Sequence, residues 1–197
     1  MADDGAEQAG RLQRSAAALH SLRRWAEAEA LAGRASALLD AQPDGPALGR
    51  TLQALAGTMD DLGDHVWAER LYRRAGTILA GVAAGGPDDA LRIRCARGLA
   101  ANLRLQHRTE EANVVLVAAL ALAEQLLGPT DVDTLATMTA LGLLCEGLGR
   151  PGEAEELYRH ALARAEAATA PDPDELAGIA AALSRLLERR HLPAPTG

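Results

Sequence analysis

Five histidines, two cysteines and one run of arginines are the residues of this 197-residue chain with the chemistry for catalysis or ligand recognition. Zinc needs ligands that converge from adjacent helical turns or from a Cys-x-x-Cys pair. His20, His65, His107, His160 and His191 offer neither, since none lies one helical turn from another His or from a Cys. His65 and His107 fall at breaks between helical patterns, where exposure explains them. Cys95 and Cys145 are isolated and each sits inside a helical pattern, which reads as two buried, reduced thiols in a reducing compartment. No Gly-x-Ser-x-Gly, His-Glu-x-x-His or phosphate-cradling glycine loop occurs. The glycine-rich "GVAAGGPDD" (81–89) feeds a break and reads as punctuation. Glutamates at 27/29, 110/111 and 153/155/156 open helices, where carboxylates favour the dipole. The expectation is a non-enzymatic chain with no catalytic residue, no metal and no cofactor.

The arginine run is different. "RIRCARGLAANLRLQHR" (92–108) holds five Arg and no acid, in a chain whose formal net charge is −7. At about 100° per residue, Arg94, Arg97, Ala101 and Arg104 fall within roughly one quarter of a helix circumference. Ala96, Leu99, Ala100 and Leu103 point the other way. A planar guanidinium fork suits bidentate capture of a carboxylate. An ordinary solvated face is the competing reading.

The elements that position these residues are helical. Apolar residues make up 48% of the chain, mostly Ala and Leu, with no Phe, two Trp and two Tyr. Ala and Leu head the helix propensity scale, and scarce Val and Ile argue against a sheet. The acidic balance speaks against a general nucleic-acid or anionic-membrane surface. "MADDGAEQAG" lacks the apolar core of a signal peptide, and no stretch reaches the roughly 18 apolar residues of a membrane span. These features predict a soluble, cytoplasmic protein.

The chain repeats itself. Ala28, Ala68, Ala112 and Ala154 recur at steps of 40, 44 and 42 residues. Pro43, Pro87, Pro129 and Pro171 recur independently at steps of 44, 42 and 42. Each period carries two helical patterns. The second runs from the anchor Ala through apolar sites four and seven residues on: Ala32/Ala35, Tyr72/Ala75, Leu116/Ala119 and Tyr158/Ala161. The first carries Ser15-Ala16, Leu55-Ala56, Leu99-Ala100 and Leu141-Gly142. Proline ends each outgoing pair, and the aspartates of "QPDGP", "GGPDD", "GPTDVD" and "APDPD" are placed to cap the next helix.

Leu141, Gly142, Cys145, Ala154, Tyr158 and Ala161, with the linker "LGPTDVDTLATM" (127–138), resemble tetratricopeptide (TPR) repeats of the longer kind found in kinesin light chains and many bacterial proteins. The resemblance implies an all-α, right-handed helical-hairpin solenoid of four TPR-like helix pairs plus a C-terminal capping helix. The predicted layout is a flexible N-terminus over 1–10 and a single solenoid domain over 11–191. Repeats fall at about 11–43, 48–86, 89–128 and 132–170, the cap at 174–191, and a flexible tail at 192–197. In the cap, Leu176, Ile179, Ala180, Leu183 and Leu187 form the apolar stripe, while Arg185, Glu188, Arg189 and Arg190 meet water.

In such arrays the first helices line the concave groove. Arg104 aligns with Asp60 and Glu146 in the neighbouring repeats, which reads as a structural charge cluster within that groove. Arg94 aligns with Arg50 and Ala136, and Arg97 with Gln53 and Thr139, so no acid is expected at that end. Arg50, Gln53, Arg94, Arg97 and Thr139 are therefore the candidate ligand-binding residues. The reading is a protein- or peptide-binding module for an acidic peptide, a C-terminal carboxylate or a partner helix. Partners are a protein or peptide, with no nucleic acid and no membrane, for a monomer or homodimer. The alternatives are a homo-oligomeric scaffold, with Trp25 and Trp67 as interface candidates, or a regulatory accessory to a peptide-modifying or signalling enzyme.

Overall fold

A computed structural model describes residues 2–42 and 44–191. The expected tail at 192–197, the anchor Pro43 and the side chains of Arg190 and His191 lie outside the described residues. Nine helices and no strand occur among the described residues: α1 (Ala2–Ser21), α2 (Trp25–Asp40), α3 (Pro46–Asp61), α4 (His65–Ala80), α5 (Asp89–Leu105), α6 (Thr109–Leu126), α7 (Val132–Gly147), α8 (Pro151–Glu166) and α9 (Pro173–His191). Helices of this length gain stability by burying an apolar face rather than from propensity alone.

The four turns that join the helices of a pair share one backbone geometry. Arg23, Gly63, His107 and Gly149 occupy the same repeat position, and all four have positive φ, at 61, 86, 61 and 72°. At each turn this residue's N–H donates to the carbonyl three residues back, namely His20, Asp60, Arg104 and Glu146. The following N–H donates to the carbonyl five residues back, namely Leu19, Met59, Leu103 and Cys145. This nested pair satisfies the orphan carbonyls at a helix end and requires a left-handed residue there. Glycine adopts that conformation without strain, whereas Arg23 and His107 carry a Cβ into it.

Helix starts follow the expected chemistry in part. Asp131 accepts from the Asp133 N–H at 2.9 Å and Asp172 from the Asp174 N–H at 2.9 Å, capping α7 and α9. Pro46 and Pro151 open α3 and α8 at positions whose N–H has no intrahelical partner. The aspartates before α3 and α5 do not cap. Gly45 is the N-cap of α3, and Asp88 and Asp89 of α5 spend their carboxylates elsewhere.

Close contacts divide the chain into two compact units, Met1–Arg108 and Thr109–Gly197. In the first, α1 packs on α2 and α3, α3 on α2, α4 and α5, and α4 on α5. In the second, α7 packs on α6, α8 and α9, and α8 packs on α9. The predicted register holds: Ala28, Ala68, Ala112 and Ala154 are all fully buried, as are the sites four and seven residues beyond them. Trp67 packs against the core of the first unit, while Trp25 is half-exposed beside His20.

Two expectations are corrected. Residues 2–10, within the stretch expected to be flexible, belong to α1, and Ala9 is buried in the core of the first unit. In the capping helix, Ile179 of the expected stripe is buried and Leu176 and Leu183 pack against the core, while Ala182 and Leu186, outside that stripe, are buried as well. The helix packs on both α8 and α7, which widens its buried face.

Glycines on the first helices sit under the two tyrosines. A Cβ on Gly142 would lie 2.5 Å from the Tyr158 ring, and one on Gly98 would lie 2.6 Å from the Tyr72 ring. Gly142→Ala and Gly98→Ala should each lower stability by about 1–2 kcal/mol, overpacking outweighing the helix-propensity gain. Gly76→Ala, with nothing within 4 Å of a new Cβ, should gain up to about 1 kcal/mol. Ala154→Leu should cost about 1–3 kcal/mol by the same overpacking. At the turns, His107→Gly should stabilise by about 0.5–1 kcal/mol and Gly149→Ala should destabilise by a similar amount. Urea unfolding of the six proteins checks the set; equal shifts for Gly142→Ala and Gly76→Ala would show that the tyrosine contact does not set the spacing.

Candidate functional site

The arginines of 92–108 divide by what they touch. Arg92, nearly buried, donates to the Leu79 carbonyl from Nε (3.0 Å) and Nη2 (2.7 Å), and to the Val82 carbonyl at 2.7 Å. It ties the C-terminal end of α4 to α5 and is structural. Arg108 donates to Glu69 Oε2 at 2.6 Å and is structural as well. Arg94 is exposed and Arg97 half-buried, one helical turn apart on α5. Arg104 is exposed and makes no ion pair among the described residues.

Within the first unit, Asp60 bonds to residues other than Arg104, its expected partner. Asp60 accepts from Asn102 Nδ2 at 2.5 Å and lies 2.9 Å from His65 Nδ1. The Tyr72 hydroxyl also bonds to it, and burial pushes that phenol well above its ordinary pKa. Glu146 accepts from the Tyr158 hydroxyl at 2.6 Å and pairs with Arg189 of α9. Asp60 and Glu146 occupy equivalent repeat positions and do the same work. Each satisfies a buried tyrosine, a short-range demand that takes precedence over an exposed arginine.

Nor is the other end without an acid. Arg50 Nη1 lies 2.5 Å from Asp88 Oδ1. Register arithmetic compared first helices only and so missed Asp88, which precedes α5 in the inter-repeat stretch. Asp89 beside it turns back to accept from the Gly85 and Gly86 N–H groups at 2.7 and 3.1 Å. Gln53 is half-buried on α3, beside Arg50's helix face and on the unit that holds Arg94 and Arg97. Thr139 lies on α7 in the other unit, and its hydroxyl donates to the Leu135 carbonyl at 3.0 Å.

The strongest electrostatic site was not foreseen. Glu69 of α4 takes Arg108 and Gln106 (2.9 Å) on Oε2, and Arg73 (2.7 Å) on Oε1. The bonds from Arg108 lead those from Arg73 and Gln106 in holding the carboxyl at about 2, below its ordinary 4.5, against the opposing effect of burial. A carboxylate this well satisfied is a structural clamp on the end of α5. Its repeat equivalent, Glu155, pairs with Arg159, so Arg159 is not the bare surface residue its position suggests. The sequence signal was the Glu-x-x-x-Arg spacing shared by 69/73 and 155/159.

Remaining candidates for reactivity are inert. Burial pushes the Cys95 thiol up to about 12 and raises Cys145 as well, so neither favours the thiolate that reacts. His65 is tied to Asp60, and His107 is the left-handed residue of its turn. No group of His, Cys, Asp and Glu able to hold a metal occurs among the described residues. No described helix is long and apolar enough to cross a membrane.

Residues 92–167, from α5 through α8, match the family described as tetratricopeptide repeat. The stretch from α5 through α8 is thus similar to tetratricopeptide (TPR) repeats. The crystal structure of a Podosopora anserina kinesin light chain with nearly identical TPR-like repeats is similar over 93% of this chain and 88% of that one, at 18% identity and a TM-score of 0.75. BtubC (BKLC) from P. vanneervenii is similar over 96% and 81%, at 20% identity and a TM-score of 0.71. A Rap protein complexed with Competence and Sporulation Factor is similar over 91% of this chain but 48% of its own, at 18% identity and a TM-score of 0.69. These likenesses establish the helical-hairpin fold, in its kinesin-light-chain-like form. Comparison with curated proteins gives no match.

Because the folded-state pKa of Glu69 is depressed, the stability it contributes is present above about 4.5 and is lost as pH falls towards 2. The unaltered protein should therefore exceed Glu69→Gln in unfolding free energy at neutral pH. The difference should shrink to near zero at about pH 2, where the protonated acid resembles the amide. A pH-independent difference in chemical unfolding would show that the clamp acts by packing alone.

Proposed function

We propose that this protein is a non-enzymatic module that binds a protein or peptide partner, with α5 reading a carboxylate through Arg94 and Arg97. The observation that carries the reading is the α5 surface itself. Arg94 and Arg97 stand one turn apart on a helix with no acid between residues 90 and 109. Arg50, though bonded to Asp88, keeps its side chain 53% exposed. A guanidinium has five N–H donors, so one ion pair leaves donors for a second acceptor. Gln53 adds a neutral donor on the same pair of helices. The similarity to a Rap protein whose structure was determined with a bound factor supports a binding role for the fold. The partner in this reading is an acidic peptide or a C-terminal carboxylate.

The scaffold reading keeps one observation of its own. Leu22 and Trp25, at the first hairpin turn, are 67% and 50% exposed, an apolar pair suited to self-association. Trp67 is partly buried and packs against the core instead.

Screening acidic and amidated versions of peptides on an array against the full chain tests the leading reading. Acidic peptides should bind, and Arg97→Glu and Arg94→Glu should each weaken that binding by at least about tenfold through like-charge repulsion. Binding should fall with salt, since screening at about 0.15 M limits exposed pairs to about 8 Å. Thermal stability should stay within the equivalent of about 0.5 kcal/mol. Unchanged affinity in both variants would leave this surface a solvated face.

A further inference from the structure

The second unit carries a surface groove that the reading above does not use. Its floor is Leu141 and Cys145 of α7 with Leu157 of α8, and its near wall is Asn113 and Val117 of α6. The groove encloses about 310 Å³, the low end of the range of ligand sites. On the α6 wall Val117 is 51% exposed, and Val114, one turn before it on the same helix and beyond the lining, is 68% exposed. The α8 wall is acidic, with Glu153 and Glu156. Arg150 at its end lies 3.4 Å from Glu153, which offsets that charge. Glu156 remains as the lining's excess acidic charge, and on α6 the exposed Glu110 lies one turn ahead of Val114.

We infer that this groove docks a short amphipathic helix from a partner protein, with apolar side chains down and Lys or Arg at its edges. The walls decide between helix and strand. Three helices line the groove, so their backbone groups are already bonded and offer no edge for an extended segment to pair with. An incoming helix satisfies its own backbone and needs only side-chain pockets. The α8 wall from Arg150 to His160 spans about 15 Å at 1.5 Å per residue, room for two or three helical turns. Long basic side chains can lie along Val114 and Val117 while their charged ends reach Glu110 and Glu156. The occupant is thus opposite in charge to the partner proposed for α5, and the two surfaces are separable.

A library of displayed amphipathic helices, randomised on one face and selected against the full chain, tests the inference. The enriched sequences should carry two large apolar residues three or four positions apart, flanked by Lys or Arg. Val117→Asp should abolish their binding and Val117→Ser should weaken it. Combined Glu110→Lys and Glu156→Lys should weaken it by at least about tenfold. Arg94→Glu should leave it unchanged, which separates this groove from the α5 surface. All these positions are exposed, so melting temperatures should stay together. Enrichment of acidic helices, or of none whose binding depends on Val117, would overturn the inference. So would a dimer in light scattering that Val117→Asp dissociates, since the occupant would then be a second copy of this chain.

Discussion

Two tyrosines pressed onto glycine are the contacts on which the rest of the packing depends. Tyr158 and Tyr72 are the bulkiest residues at the positions four beyond the anchor alanines, and each is buried. They fit only because Gly142 and Gly98 present no Cβ to the rings. A buried phenol needs a partner for its hydroxyl, and Glu146 and Asp60 supply it. Those carboxylates then bind onward: Glu146 to Arg189 of α9, Asp60 to Asn102 of α5 and His65 of α4. One steric requirement thereby fixes a chain of polar contacts from each hairpin to the next helix.

This has a consequence for charge. Asp60 and Glu146 are each committed to a tyrosine, and Arg104 is exposed. Arg92 and Arg108 are spent on helix ends and on Glu69. Two of the five arginines of 92–108 thus serve the fold itself, and Arg50 is held by Asp88.

The same logic explains the turns. A nested pair of hydrogen bonds closes all four, whether the left-handed residue is Gly63, Gly149, Arg23 or His107. The strain at the two non-glycine turns is small beside the burial of a whole hairpin. Local preference is therefore overridden in repeats one and three. These are also the repeats whose sequence departs most from the family pattern.

What the sequence determined by itself was whatever depends on spacing along the chain. The periods of 40 to 44 residues, the buried alanines, the two capping aspartates Asp131 and Asp172, and the helical class all follow from local periodicity and local hydrogen bonding. Those interactions join residues a few positions apart, so one chain displays them directly. Tertiary structure decided the rest: Asp88 against Arg50, Asn102 against Asp60, Arg108 against Glu69, and the face α9 turns inward. Each depends on which side chains meet across 38 or more residues of chain, or on how two neighbouring helices share one face. Repeat register narrowed those choices without ranking them. A long side chain reaches several positions, and its partner is settled by desolvation and packing, which exist only once the helices have met.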